Sequence, residues 1–410
     1  MSGFTTRSVH GERRGPEAHG SLRFPLYDSA AFEADSAKDH ELTFANRLPK
    51  HSYTRLTNPT IEDYERRVQW ASGATGVLST ASGMAAIADA CLALVSQGSN
   101  IVTSKRLFSH TISLFKDTFG RFGVETRWVD MLDPAQVAAA IDADTRLVFL
   151  EVLTNPQLEV ADIQAIAKIA GAKGVPVVLD NTMATPYLFD AKAHGVAVEV
   201  VSATKFLSGG ASVMGGLILD HGTFDWKKAP NLELLAAKVG PAALIARLRR
   251  DTHRNLGTCL SPHNAWQLTL GLETLALRAD RSCANALAVA RHLEGLPKVV
   301  KVHYPGLPSS PFFALSRRQF PRGAGAVLTF DLPGKAEAFR VLDAFRVVRR
   351  ATNLNDNKSL AIHAASTIFA DLTPEERAAN GIGEGLIRLS VGIEDPEDLF
   401  EDLDQALEKA

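Results

Sequence analysis

Cysteine is scarce in this 410-residue chain, which holds only Cys91, Cys259 and Cys283. None sits in a Cys-x-x-Cys pair or beside a His pair, so neither a disulfide framework nor a zinc site is suggested, and the three read as core or incidental thiols. Net charge is lacking as well. The 44 Lys and Arg are balanced by 46 Asp and Glu, a formal charge of -2, which gives no chain-wide attraction to nucleic acid or to an anionic membrane. No apolar run reaches membrane-spanning length, and the opening residues lack the apolar stretch of a secretory signal. Internal repeats and low-complexity segments are also missing. Hydrophobic residues, by contrast, make up 46% of the chain, enough for two ordinary domains with substantial cores. The expectation is a cytoplasmic protein with small-molecule partners, and with neither nucleic acid nor membrane among them.

Residues 1–60 have little helical or strand periodicity and are rich in Gly, Pro, Ser and charge, which predicts an extended arm that needs another surface to lie on. The pattern changes at Thr60, whose hydroxyl, followed by Glu62 and Asp63, predicts a helix start. Between about 75 and 220, β-rich runs at 100–103, 126–129, 147–150, 175–179, 198–201 and 217–219 alternate with helical patterns such as 134–142 and 163–172. This alternation predicts an α/β layer with a mainly parallel sheet sandwiched by helices, binding its ligand at the carboxyl ends of the strands. Residues 230–296 read as mostly helical. Strand patterns at 298–304, 325–332 and 385–391, with helices near 336–347 and 396–409, predict a smaller α+β C-terminal domain. The expected division is an arm at 1–60, a cofactor-binding domain at 61–255 and a C-terminal domain at 256–410.

Three short stretches carry chemistry. In Ser202-Ala203-Thr204-Lys205-Phe206-Leu207-Ser208-Gly209-Gly210 a lysine follows a strand and two hydroxyl residues: an amine able to form an imine, beside donors for phosphate oxygens. A lysine after a strand is, taken alone, more often a solvated loop residue. Asp180 follows the apolar run Val177-Val178-Leu179, where a carboxylate can pair with a protonated ring nitrogen or simply cap a turn. Ser82-Gly83-Met84 opens an apolar helix, whose free N–H groups and dipole suit an anion.

Together these stretches closely resemble the Cys/Met-metabolism pyridoxal 5'-phosphate enzymes, which include cystathionine γ-synthase, the cystathionine and methionine lyases and O-acetylhomoserine sulfhydrylase. The resemblance rests on Tyr53-Thr54-Arg55-Leu56-Thr57-Asn58-Pro59-Thr60, Ser82-Gly83-Met84, Glu151 to Asn155-Pro156, Asp180-Asn181-Thr182, Ser202-Ala203-Thr204-Lys205 and Arg388-Leu389-Ser390-Val391-Gly392-Ile393-Glu394. It runs from Thr6 to the last helix, with 25 residues from Asn155 to Asp180 and 25 more to Lys205. It implies the aspartate aminotransferase-like fold type I, with Lys205 holding pyridoxal 5'-phosphate as a Schiff base and then shuttling protons, and Asp180 on the pyridine nitrogen. Gly83 and Met84 would offer backbone N–H groups, and Ser202 and Thr204 hydroxyls, to the phosphate. Asn155 would lie near the ring hydroxyl, and Arg388 would clamp the substrate carboxylate. Tyr53 and Arg55 would reach a neighbouring subunit's cofactor and substrate, in a homotetramer built as a dimer of dimers.

Two positions depart from the family's commoner pattern. A tyrosine usually stacks on the cofactor ring in a Tyr-Gly-Gly-Thr stretch; here Phe108-Ser109-His110-Thr111 keeps the ring and loses the hydroxyl. His110 could supply a proton donor, although a lone loop His is more often a surface residue. Asn353, 35 residues before Arg388, stands where the lyases tend to carry Ser and O-acetylhomoserine sulfhydrylases Asn. A carboxylate leaves without acid help more readily than a thiolate does. The resemblance therefore implies γ-replacement on O-acetyl-L-homoserine by a sulfur donor, sulfide or carrier-bound, to give L-homocysteine for methionine biosynthesis. Cystathionine γ-synthase and the γ-lyases are the alternative reactions on the same scaffold.

Overall fold

Buried parallel strands covered on both faces must be apolar along their whole length, and the computed structural model places such runs at the centre of its larger sheet. The structure describes residues 3–12, 17, 19–45 and 47–410; the remaining arm positions lie outside the described residues. Seven strands, β1 (Gly76–Thr80), β2 (Asn100–Ser104), β3 (Glu125–Val129), β4 (Thr145–Glu151), β5 (Val177–Asp180), β6 (Val198–Ser202) and β7 (Gly216–Asp220), lie in the order β1-β7-β6-β5-β4-β2-β3. Strands β3, β2, β4, β5 and β6 pair in parallel, whereas β7 runs antiparallel to both β6 and β1. The six anticipated strand runs are all present. Strand β1, whose Gly76 and Ser79 dilute the apolar signal, was not anticipated.

A 20-residue helix, Leu275–Glu294, leads to the second sheet. There β8 (Lys301–His303), β9 (Val327–Asp331), β10 (Arg349–Arg350), β11 (Leu360–His363) and β12 (Leu386–Ser390) are ordered β10-β11-β12-β9-β8. The helix Lys335–Ala344 packs on β11 and β12 of this layer, and Pro396–Leu407 packs its apolar face on that helix and on Leu275–Glu294. A fold type I enzyme has this division: a mainly parallel central sheet and a smaller C-terminal sheet.

The arm departs from the expected lack of helix. It contains the short helices Phe4–His10 and Ala37–Phe44, and Phe4 packs on the Tyr187 ring at 5.1 Å between centroids. The helix expected to start at Thr60 starts earlier, as Pro59–Ser72. Asn58 is its cap, accepting the Thr60 N–H, with Pro59 in the first helical position. The Thr60 hydroxyl is used elsewhere: it donates to the Pro25 carbonyl and accepts the Tyr27 N–H, both at 2.9 Å, tying the arm down.

Candidate active site

Adjacent in-register residues of a sheet project to the same face. The register of β4, β5 and β6 aligns Glu151 with Asp180 and Asp180 with Val200, so two carboxyl groups stand side by side where the strands end. Lys205 follows β6 by three residues. Across from it, Ser82 caps the helix Gly83–Leu92 by accepting the Ala85 N–H, leaving the first N–H groups of the helix facing the same space. The approach demands glycine: a Cβ on Gly83 would lie 2.6 Å from the Ser202 Cβ.

The enclosed space is a cavity of about 310 Å³, lined by Gly83, Met84, Phe108, Asn155, Asp180, Ser202, Thr204, Lys205, Asn353 and Arg388. Ten of the twelve residues singled out in the sequence therefore meet, although they span more than 300 positions of the chain. Tyr53 and Arg55 do not line it. Tyr53 is exposed, and Arg55 donates to the Arg254 carbonyl while lying 5.5 Å from the centre of the Tyr53 ring.

A buried charge, Arg388, and a half-buried one, Asp180, face this cavity without a counter-ion among the described residues. Arg388 is 3% exposed. It donates to Asn155 Oδ1 at 3.1 Å and to the Asn353 carbonyl at 3.0 Å, both neutral groups, and its Nε has no partner. Burial lowers its pKa to about 10. Asp180 accepts the Thr182 N–H at 2.9 Å, and burial pushes its pKa up. Buried charges are ordinarily paired. The missing partners have the chemistry of an anionic carboxylate for Arg388 and a cationic ring nitrogen for Asp180.

Lys205 lines the same cavity. Its Nζ donates to Asn353 Oδ1 at 2.7 Å, and the Asn353 amide in turn donates to Asp356 Oδ2 at 3.3 Å. Burial, and next the positive charge of Arg388, lower the pKa of the amine, so more of it is neutral and nucleophilic than in a free lysine. On the cavity wall the Gly83 and Met84 N–H groups and the Ser202 hydroxyl offer donors to a dianion, while the Thr204 hydroxyl, which also lines it, donates to the Gly215 carbonyl at 3.3 Å. Asp180 and the flat Phe108 ring on the same wall suit an aromatic cation. This donor set fits a phosphorylated pyridine aldehyde.

Several contributors were given no role from sequence, while His110, weighed there as a proton donor, is found at the cavity. Thr182 accepts the Ser202 N–H at 2.8 Å, and Asn355, at φ +55°, holds the 352–356 loop against the Thr182 and Met183 carbonyls. The polar run Asn353-Leu354-Asn355-Asp356-Asn357 was the available signal for that loop. Glu151 is buried beside Asp180, and its pKa is raised to about 8 by burial and next by the Asp180 charge. His110 lines the cavity at its exposed side, 4.8 Å from Phe108 between ring centres. A larger hollow of about 640 Å³ adjoins at the ends of β2 to β4 and shares the Glu151 wall. Its lysines, Lys105 and Lys116, are exposed and Arg106 is paired with Glu159, so it lacks the buried amine and the phosphate cradle.

The Cys/Met metabolism PLP-dependent enzyme family matches residues 5–408. An L-methionine gamma-lyase from Pseudomonas putida is 38% identical, covering 99% of this chain and 98% of its own. An O-acetylhomoserine sulfhydrylase structure from Wolinella succinogenes aligns with a TM-score of 0.78 at 48% identity, over 86% of this chain and 98% of that one. A Campylobacter jejuni structure carrying N'-pyridoxyl-lysine-5'-monophosphate aligns at 0.91 with 33% identity, over 99% of this chain and 100% of that one.

Proposed function

The chain belongs to the Cys/Met metabolism PLP-dependent enzyme family, and on that premise we propose that it replaces the acetate of O-acetyl-L-homoserine by a sulfur nucleophile, giving L-homocysteine. When bound, pyridoxal 5'-phosphate supplies an aldehyde for the substrate amine and a conjugated ring that takes up electron pairs released at Cα. Asp180 keeps the ring nitrogen protonated, and Phe108 covers the ring face. The fork of Arg388, held by Asn155 and the Asn353 carbonyl, grips the α-carboxylate.

Lys205, freed by the incoming amine, removes a proton from Cα and then one from Cβ. The Cγ–O bond breaks and acetate departs. The sulfur nucleophile forms the Cγ–S bond, and Lys205 returns protons to Cβ and Cα. Asn353 Oδ1 gives the free Nζ a fixed acceptor between these transfers. One mobile amine thus serves every proton step.

The observation that carries the choice of reaction is Phe108 at the cavity wall. A side chain without a hydroxyl offers no acid for a poor thiolate leaving group, whereas acetate leaves as the carboxylate. The asparagine on Lys205 points the same way. Tyr53 and Arg55, exposed and outside their own cavity, are assigned to the cavity of a partner subunit in a homotetramer arranged as a dimer of dimers. Among the described residues no helix is long and apolar enough to cross a membrane, in keeping with a cytoplasmic enzyme.

The test supplies purified, cofactor-loaded protein with O-acetyl-L-homoserine and either sulfide or cysteine. Homocysteine and acetate with sulfide are expected. Cystathionine with cysteine, or ammonia release with neither, would move the assignment to a synthase or a lyase.

A further inference from the structure

Glu151 is a costly residue in its place. It is 7% exposed and stands in register with a second, half-buried carboxyl, Asp180, so each raises the cost of ionising the other. Stability alone does not call for it, because a neutral amide could satisfy either N–H group there without burying a titratable carboxyl beside another. Its two oxygens, however, serve two different segments. Oε1 accepts the Phe108 N–H at 2.6 Å, from the loop that carries the aromatic ring into the cavity. Oε2 accepts the Asn155 N–H at 3.3 Å, and the Asn155 side chain in turn accepts from Arg388 Nη1. A single carboxyl group thus links the residue over the cofactor ring to the residue that aligns the carboxylate clamp, although they lie 43 and 4 positions away in sequence.

We propose that Glu151 is a positioning residue that seats Phe108 on the cofactor ring and Asn155 against Arg388, so that the ring face and the carboxylate clamp are set from one point. A two-oxygen acceptor anchored at the end of a sheet strand suits this task. Glutamine in its place keeps one acceptor and presents an NH₂ group to the other N–H, so one of the two links must break. Neither N–H group moves with the side chains of Phe108 or Asn155, so the link survives their substitution and can be tested through them. The inference rests on placing Phe108 at the ring and Arg388 at the carboxylate.

The experiment is a double-mutant cycle on cofactor-loaded protein, read by the circular dichroism of the bound cofactor's visible band, by KM for the amino ester and by thermal unfolding. Phe108→Leu removes the ring and keeps the backbone N–H. Glu151→Gln is expected to shift the dichroic band in the same sense as Phe108→Leu and to raise KM several-fold. In the Phe108→Leu background it should leave the band where Phe108→Leu put it. If Glu151→Gln does not fold, Glu151→Asp, which withdraws the carboxylate by one methylene, takes its place in the cycle. An unchanged band in the Glu151 variant, or equal shifts with and without the Phe108 ring, would overturn the proposal while leaving Phe108 at the ring. A silent Phe108→Leu would overturn both. Sulfhydrylase turnover, assayed on the unmodified protein, reports separately on the reaction.

Discussion

On the proposed reading, the strand ends of the large sheet and the N-terminal arm serve the same chemistry, yet within one chain they stand in opposite states of readiness. At the strand ends, Asp180 and Lys205 are placed by hydrogen-bonded register and by the turn after β6, and they sit in the cavity of a single chain. In the arm, Arg55 is occupied by the Arg254 carbonyl and Tyr53 lies open. A sheet can fix a side chain from within one subunit, because its neighbours along the ladder are part of the same fold. An arm positions its residues only through whatever surface it rests on. The sheet is therefore expected to carry chemistry in any assembly state, and the arm only in an assembled one.

That contrast is most severely tested at Lys205. Lys205→Ala should lower turnover by about 10³-fold or more, since in the proposed mechanism one amine serves every proton transfer; steady-state rates of the reconstituted variant measure it. Arg388→Leu keeps the lysine and removes the clamp, and kcat/KM for the amino ester should fall roughly 10²-fold, the worth of a lost charged hydrogen-bond pair. Turnover close to that of the unaltered enzyme in either variant would break the claim that the strand ends carry the reaction. At the arm, Arg55→Ala should weaken cofactor retention by about tenfold, and this difference should vanish on dilution to single subunits. A loss independent of protein concentration would place Arg55 in its own site and erase the contrast.

The smallest expected effect concerns pH. Burial and the Arg388 charge hold the Lys205 pKa below that of a free lysine. A neutral amine captures an aldehyde and an ammonium does not, so capture fails as pH falls through the amine's pKa. Arg388→Leu removes one of the lowering causes, so the pKa rises and the pH of half-maximal capture should move upward, by up to about one unit. Visible absorbance against pH during cofactor loading reads it, and a downward shift would contradict the electrostatic account.

Most of the cavity lining was legible in the sequence, and most plainly Asp180, Ser202, Thr204 and Lys205, which sit at or just after the ends of buried strands. The continuous apolar run Val177-Val178-Leu179 ends where Asp180 begins, and the valine-rich run Val198-Glu199-Val200-Val201, interrupted by the buried Glu199, ends where Ser202-Ala203-Thr204-Lys205 begins. A fully buried parallel strand has no polar face to blur its end. The cap of the helix after the arm was misplaced by two residues, at Thr60 instead of Asn58, because Thr60 has a hydroxyl suited to capping, yet spends it on Pro25 and Tyr27, which only the folded arm brings near. Glu151 could be read as part of a motif but not as a link between Phe108 and Asn155, since backbone N–H groups leave no mark on residue identity. The 352–356 loop depends on Asn355 reaching the Thr182 and Met183 carbonyls from the other sheet's domain, a contact that no local pattern encodes.

The central claim is that Lys205 is the amine that binds the cofactor, and it is tested most directly by borohydride reduction of the loaded protein followed by peptide mass spectrometry. The account predicts the phosphopyridoxyl mass on the peptide containing Lys205 and on no other. The label on another lysine, or an unlabelled Lys205 in protein that retains the visible band, would contradict it.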